Sequence, residues 1–196
     1  MTASELTRAN LAMTLANLGQ LDAARNTAET ALIRAREQGN RRCESVALVY
    51  LARIRAMTND VAGALAAAMD AKTAARDIPA VRAFALAIAA SLLYRQSKFL
   101  HAEKLAASAM QIVEQLQGIE EGESLIRMTY TLVLLARGNE NDGKRILEHA
   151  RRSLLDRAEC IGEAGWRSSF LMNVPDNREL LQLAEKWLGP YRPTSA

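Results

Sequence analysis

The sequence predicts an all-α chain: a right-handed superhelical solenoid of about four antiparallel helix pairs with a C-terminal capping helix. Three observations carry that prediction. Only four of the 196 residues are proline and ten are glycine, while alanine, the strongest helix former, recurs throughout. No alternating run rich in Val, Ile or Thr marks a strand. Small residues also return at a near-constant interval. Ala24, Ala64, Ala102 and Gly143 lie 40, 38 and 41 positions apart, a period that points to stacked helical repeats.

Each repeat begins with a helix A, turns tightly, and continues as a helix B. In the first, Leu18-Gly19-Gln20-Leu21-Asp22-Ala23-Ala24 supplies the turn, and Ala28 and Ala31 follow on one face of B. The spacing returns as Asn59, Val61, Ala64, Ala68 and Ala71, then as Ser97, Phe99, Ala102, Ala106 and Ala109. A weaker fourth copy reads Gly138, Glu140, Gly143, Leu147 and Ala150. Small side chains let the two helices approach, larger ones such as Leu21, Val61 and Phe99 fill the gap beside them, and neighbouring pairs must stack to bury the remaining apolar faces.

The pattern places A helices at about 4–18, 43–58, 79–96 and 123–137, and B helices at about 21–38, 60–76, 98–117 and 140–158. Thr2-Ala3-Ser4-Glu5 has the spacing of a capping box, Gly39-Asn40 and Gly118 stop helices, and Pro79 suits a first helical turn. Past the fourth pair, Gly162 and Gly165 loosen the chain. Pro175-Asp176-Asn177-Arg178-Glu179 then opens a helix with Asp176 as its cap, and Leu180, Leu181, Leu183, Ala184, Trp187 and Leu188 form its apolar face. The organisation expected is one domain, 1–196, with repeats at about 4–38, 43–76, 79–117 and 123–158, a cap at about 163–189 and a tail at 190–196. Trp166, Phe170 and Trp187 are expected to be buried in the cap.

The small-residue positions resemble those of tetratricopeptide repeats, through Ala12, Gly19, Leu21, Ala24 and Ala31 in the first unit, Ala52, Ala64 and Ala71 in the second, and Ala90, Ala102 and Ala109 in the third. The resemblance covers about residues 4–158. It departs from the family in a period longer than the usual 34 residues, in Thr131 where helix A wants a small residue, and in Glu140 where a large apolar one is expected. Repeats of this length are similar to those in the C-terminal regions of large bacterial signalling proteins, including kinases, cyclases and ATP-dependent transcription activators. The segment Ser169–Arg178 looks like the close of such regions. The resemblance implies a non-catalytic module, acting in the cytoplasm, that binds a protein or peptide in a concave groove. A small-molecule sensor and a self-associating homodimeric module are the alternatives.

Composition narrows the classes further. Hydrophobic residues make up 49% of the chain but aromatics only 5%, and the net charge is +3. Basic residues alternate with acids, as in Arg34-Ala35-Arg36-Glu37 and Glu148-His149-Ala150-Arg151-Arg152. This reads as a solvated mixed-charge surface rather than the concentrated basic stripe that nucleic acid requires. The most apolar stretch, Ile78 to Tyr94, holds Pro79, Arg82 and Ser91 and reads as a buried helix rather than a membrane span. Cys43 and Cys160 form no CxxC pattern and are expected as free thiols of a cytosolic chain.

Motifs for chemistry are sparse. Gly138-Asn139-Glu140-Asn141-Asp142-Gly143-Lys144-Arg145 has the glycine and lysine spacing of a phosphate-binding loop, but Arg145 stands where the metal-binding hydroxyl belongs, and the register puts the segment at a helix–helix turn. His101 and His149 belong to no metal motif, and His149 with Cys160 supplies too few ligands for zinc. Glu120, Glu121 and Glu123 read as a solvated acidic junction, and Met57, Met69, Met110, Met128 and Met172 as core fillers. No catalytic residue, metal site or cofactor is expected.

A groove lined by the A helices is the expected binding surface. Its inward set is Leu6, Ala9, Met13 and Asn17 in unit one, Val49, Arg53 and Met57 in unit two, and Phe84, Ala87, Ser91, Tyr94 and Arg95 in unit three. Unit four offers Leu125, Met128, Leu132 and Leu135, which need a cover. Asn17, Arg53, Met57, Ser91, Tyr94 and Arg95 combine charge, hydrogen bonding and aromatic area. The two arginines suit an acidic side chain or a C-terminal carboxylate.

Overall fold

The computed structural model describes residues 4–191. Thr2 of the expected capping box and residues 192–196 of the expected tail lie outside the described residues. Within them the chain forms ten helices: α1 Glu5–Asn17, α2 Leu21–Glu37, α3 Arg41–Met57, α4 Val61–Ala74, α5 Pro79–Arg95, α6 Phe99–Gln115, α7 Glu123–Ala136, α8 Glu140–Glu159, α9 Ala164–Met172 and α10 Pro175–Leu188. The eight helices of the four pairs fall within a few residues of their expected spans, and no strand forms among the described residues. The first helix is capped by Ser4, whose Oγ accepts from the Thr7 backbone N–H at 3.2 Å.

Each A–B turn is made the same way. A residue with positive φ follows helix A: Gly19 (79°), Asn59 (61°), Ser97 (59°) and Gly138 (82°). The next backbone N–H then returns to the carbonyl five residues back, Gln20 to Leu15, Asp60 to Arg55, Lys98 to Leu93 and Asn139 to Leu134, each at 2.9 Å. This closes the open carbonyls of a helix end in a Schellman turn. The left-handed residues are spaced like the small ones, so the repeat is a repeat of backbone conformation as well as of packing.

The helices gather into two compact units, one ending at Glu121 and the other beginning at Gly122. In the first, α3 packs against both α1 and α5, and α2 and α4 each pack on their own A helix and the next. The small residues at the crossings, Ala12, Ala24, Ala28 and Ala31 with their counterparts in repeats two and three, are fully buried. Ile54, Leu92 and Val113 fill the space beside them. The middle of α5, residues 83–90, is buried all round, which accounts for its apolar composition without a membrane.

In the second unit, α7 and α8 form the fourth pair, and α10 packs against both. Gly143 sits at the crossing because a Cβ there would lie 2.9 Å from Leu135 Cδ2. Ala150, Leu154 and Leu180 form a core on which Phe170, Leu171 and Leu181 rest.

Several expectations for this unit are corrected. The cap is two helices, since the Trp166 stretch forms α9. Asp176 does not cap α10: Pro175 takes the first helical position, Val174 is extended, and no side chain caps the end. Trp166 is 70% exposed, Phe170 and Trp187 only half-buried. The seat expected for large aromatics is taken by Leu180, and Trp187 instead lies under Lys144 Nζ, 5.7 Å from its ring centre. Met110 and Met128 are buried as expected, but Met57 and Met172 are exposed.

The charged junction also differs. Glu123 is buried and accepts from Arg127 Nε at 2.7 Å, with Arg157 Nη1 at 3.6 Å. Arg151, read as surface charge, is buried, donates to the Gly189 carbonyl at 2.8 Å and stacks on Tyr191. A guanidinium or carboxylate enters a core only with such partners, and the sequence alone does not show which charges have them.

Candidate interaction surface

Register along the A helices of the first unit sorts the candidate residues into rows. Met13, Arg53 and Ser91 occupy equivalent positions, one turn after Ala9, Val49 and Ala87. Asn17, Met57 and Arg95 follow a further turn on, each the last residue of its helix. Because α3 packs against both α1 and α5, each row runs across three adjacent helices.

The deeper row is core: Ala9, Val49 and Ala87 are buried, as is Phe84 one turn earlier on α5, which corrects their expected role as groove lining. Small residues let successive A helices close directly on one another. The outer rows remain accessible. Asn17, Met57 and Arg95 are exposed, while Arg53, Ser91 and Tyr94 are half-buried. The Arg53 guanidinium lies 5.5 Å from the Phe84 ring centre, a cation–π contact. Ser91 Oγ donates to the Ile88 carbonyl at 2.9 Å, which leaves its lone pairs to accept. Tyr94 packs on Phe99 at the start of α6, ring centres 5.6 Å apart. In the compact unit that begins at Gly122, Met128 is buried, and Leu125, Leu132 and Leu135 are half-buried on α7, the helix that α10 covers in part.

Sequence reasoning missed Tyr50. It stands on the same face as Arg53, three residues earlier, and 40 positions after Asn10. It is buried, its hydroxyl donates to Glu121 Oε2 at 2.9 Å, and Asn10 Oδ1 lies 3.3 Å away. Burial chiefly, then the Glu121 charge and the hydrogen bond to it, hold the phenol well above its ordinary pKa, while the Arg53 charge pulls the other way. The signal was available in the register, because Asn10, Tyr50 and Ile88 form a row of their own, polar at two of three positions.

A concavity of about 360 Å³ opens where α2, α3 and α4 meet, lined by Arg36, Arg41, Glu44, Leu48, Asp70, Thr73 and Ala74. Arg36 Nε donates to Glu44 Oε1 across it at 2.8 Å. The sequence singled out none of these as a site.

The remaining motifs are structural in form. Gly138–Arg145 is the turn from α7 into α8, with Asn139 capping the Asp142 N–H at 3.4 Å and Lys144 paired to Glu140 at 3.0 Å. The segment thus joins two helices instead of following a strand. His101 and His149 are exposed; Cys43 is a buried and Cys160 an exposed free thiol. Among the described residues no group of three or more His, Cys, Asp or Glu could hold a metal ion, and no helix is long and apolar enough to cross a membrane.

No protein-family model matches the sequence, and no curated protein matches it. Solved structures do. The nearly identical TPR-like repeats of a Podosopora anserina kinesin-light-chain-like protein superpose with a TM-score of 0.62 at 12% identity, covering 99% of this chain and 100% of that one. A single-substitution variant of the same repeats gives 0.61 at 12% identity, covering 95% and 97%. At that identity the likeness is one of fold. Among the described residues the chain is all-helical, and its fold is similar to that of TPR-like repeats.

Proposed function

We propose that this chain is a non-catalytic interaction module, and that the outer rows of α1, α3 and α5 bind a protein or peptide segment carrying a carboxylate. The alignment of Asn17, Met57 and Arg95, and of Met13, Arg53 and Ser91, across three packed helices carries the reading. It forms a strip with two cations, hydrogen-bonding groups and an apolar floor, and little of it is consumed by the core. Arginine spread on an aromatic ring loses little freedom when it grips a carboxylate, and such residues supply a large share of binding energy at interfaces. The interleaved charge elsewhere favours a protein partner over nucleic acid. The resemblance of residues 169–178 supports a wider placement in a cytoplasmic bacterial signalling protein.

The test is a double charge reversal, Arg53→Glu with Arg95→Glu, assayed by fluorescence anisotropy against a labelled peptide ending in Glu-Glu with a free carboxylate. Binding should be lost while circular dichroism stays unchanged. Retained affinity moves the surface away from the A helices.

A further inference from the structure

The A-helix face of the first unit already holds a carboxylate, and it belongs to the chain itself. After α6 the backbone turns twice through positive φ, at Gln117 (57°) and Gly118 (117°), and again at Gly122 (86°). These reversals set off a short segment in which Ile119 is buried and Glu121 reaches Tyr50 on α3. A hydroxyl has one proton to give. The 2.9 Å contact to an ionised acceptor takes it, and such a bond is about twice as strong as a neutral one. Asn10 Oδ1 on α1 lies 3.3 Å from the same hydroxyl, and the Arg53 charge acts on the same group. Glu121 itself remains exposed at the surface, so a carboxylate from outside can approach the position it occupies.

We propose that residues 117–121 are an intramolecular strap, with Glu121 as a stand-in for the carboxylate of a partner, so that the partner must displace it. The inference rests on the reading of the A-helix face as the binding surface. A group tethered by so short a linker competes at an effective concentration of about millimolar or more, and occupancy of the closed state lowers apparent affinity by the fraction of sites left open. A weak carboxylate ligand is therefore held off until it brings contacts along Ser91 and Arg95 that the strap lacks.

The peptide ending in Glu-Glu, titrated into the full chain, tests this. Glu121→Ala should bind it at least tenfold more tightly than the natural sequence, and Arg53→Glu added to Glu121→Ala should abolish the gain. Amide exchange over 117–121 should be faster in Glu121→Ala, with the cores of α3 and α5 unchanged. Equal affinity of the natural chain and Glu121→Ala, lost in both on Arg53→Glu, overturns the strap and leaves the binding surface standing. Absence of binding to either, or binding indifferent to Arg53→Glu, overturns the surface and the strap with it.

Discussion

Replacing Arg127 by methionine should destabilise the second unit by about 3 kcal/mol. The Arg127 and Glu123 side chains are 9% and 7% exposed, and their Nε–Oε1 distance is 2.7 Å. Removing the cation strands a carboxylate in the core, a change that costs about 3–5 kcal/mol at buried pairs. Arg157 Nη1 remains 3.6 Å from Glu123 Oε2 and is 40% exposed, so it compensates in part and sets the expectation at the lower end. Both tryptophans of the chain, Trp166 and Trp187, lie in this unit, so urea unfolding followed by tryptophan fluorescence reports on it selectively. The double replacement Glu123→Leu with Arg127→Met removes both charges and should return stability to within about 1 kcal/mol of the natural chain. A single variant that loses under about 1 kcal/mol, or a double that loses as much as the single, would refute the claim that the charges are held by each other.

Three further outcomes follow from burial. Thr131 Oγ1 is buried without a hydrogen-bond partner among the described residues, so Thr131→Val should raise stability by up to about 1 kcal/mol in the same urea assay; a loss of that size would show the hydroxyl to be satisfied. Leu180→Ala should cost about 2–5 kcal/mol and Trp166→Ala under about 0.5 kcal/mol, because the leucine is 1% and the tryptophan 70% exposed; the reverse order would overturn the packing described for α9 and α10. The raised pKa of Tyr50 means the folded state holds the phenol neutral while the unfolded chain ionises near pH 10. Its contribution to stability is thus complete below about pH 10 and falls as pH rises past it. Alkaline denaturation should be shallower in Tyr50→Phe, and identical alkaline limbs would contradict the buried contact with Glu121.

The repeat was legible because it is written in small residues that packing cannot replace. Ala24, Ala64, Ala102 and Gly143 all sit at helix crossings. The turns were legible where glycine takes the left-handed position, at Gly19 and Gly138, and less so where Asn59 and Ser97 adopt it. The terminal segment was not legible because aromatic size does not by itself secure burial. A helix as short as α9, resting on the core through Phe170 and Leu171, leaves Trp166 outside. Buried charges were illegible for a different reason. Glu123 meets Arg127 within its own helix, but whether that pair is solvated depends on what packs over it, which is a tertiary fact. The candidate strip was half legible. Register alone aligned its rows, and it could not tell that Ala9, Val49 and Ala87 close into core, nor that Glu121 returns from a loop 71 residues along the chain to meet Tyr50.

Backbone amide exchange of the full chain, with and without saturating Glu-Glu-terminated peptide, tests the binding surface most directly. Added protection is expected in the last two turns of α1, α3 and α5, around Asn17, Arg53–Met57 and Ser91–Arg95. Protection confined to α2, α4 and α6, or to the cleft around Arg41 and Asp70, would contradict the assignment of the A-helix face.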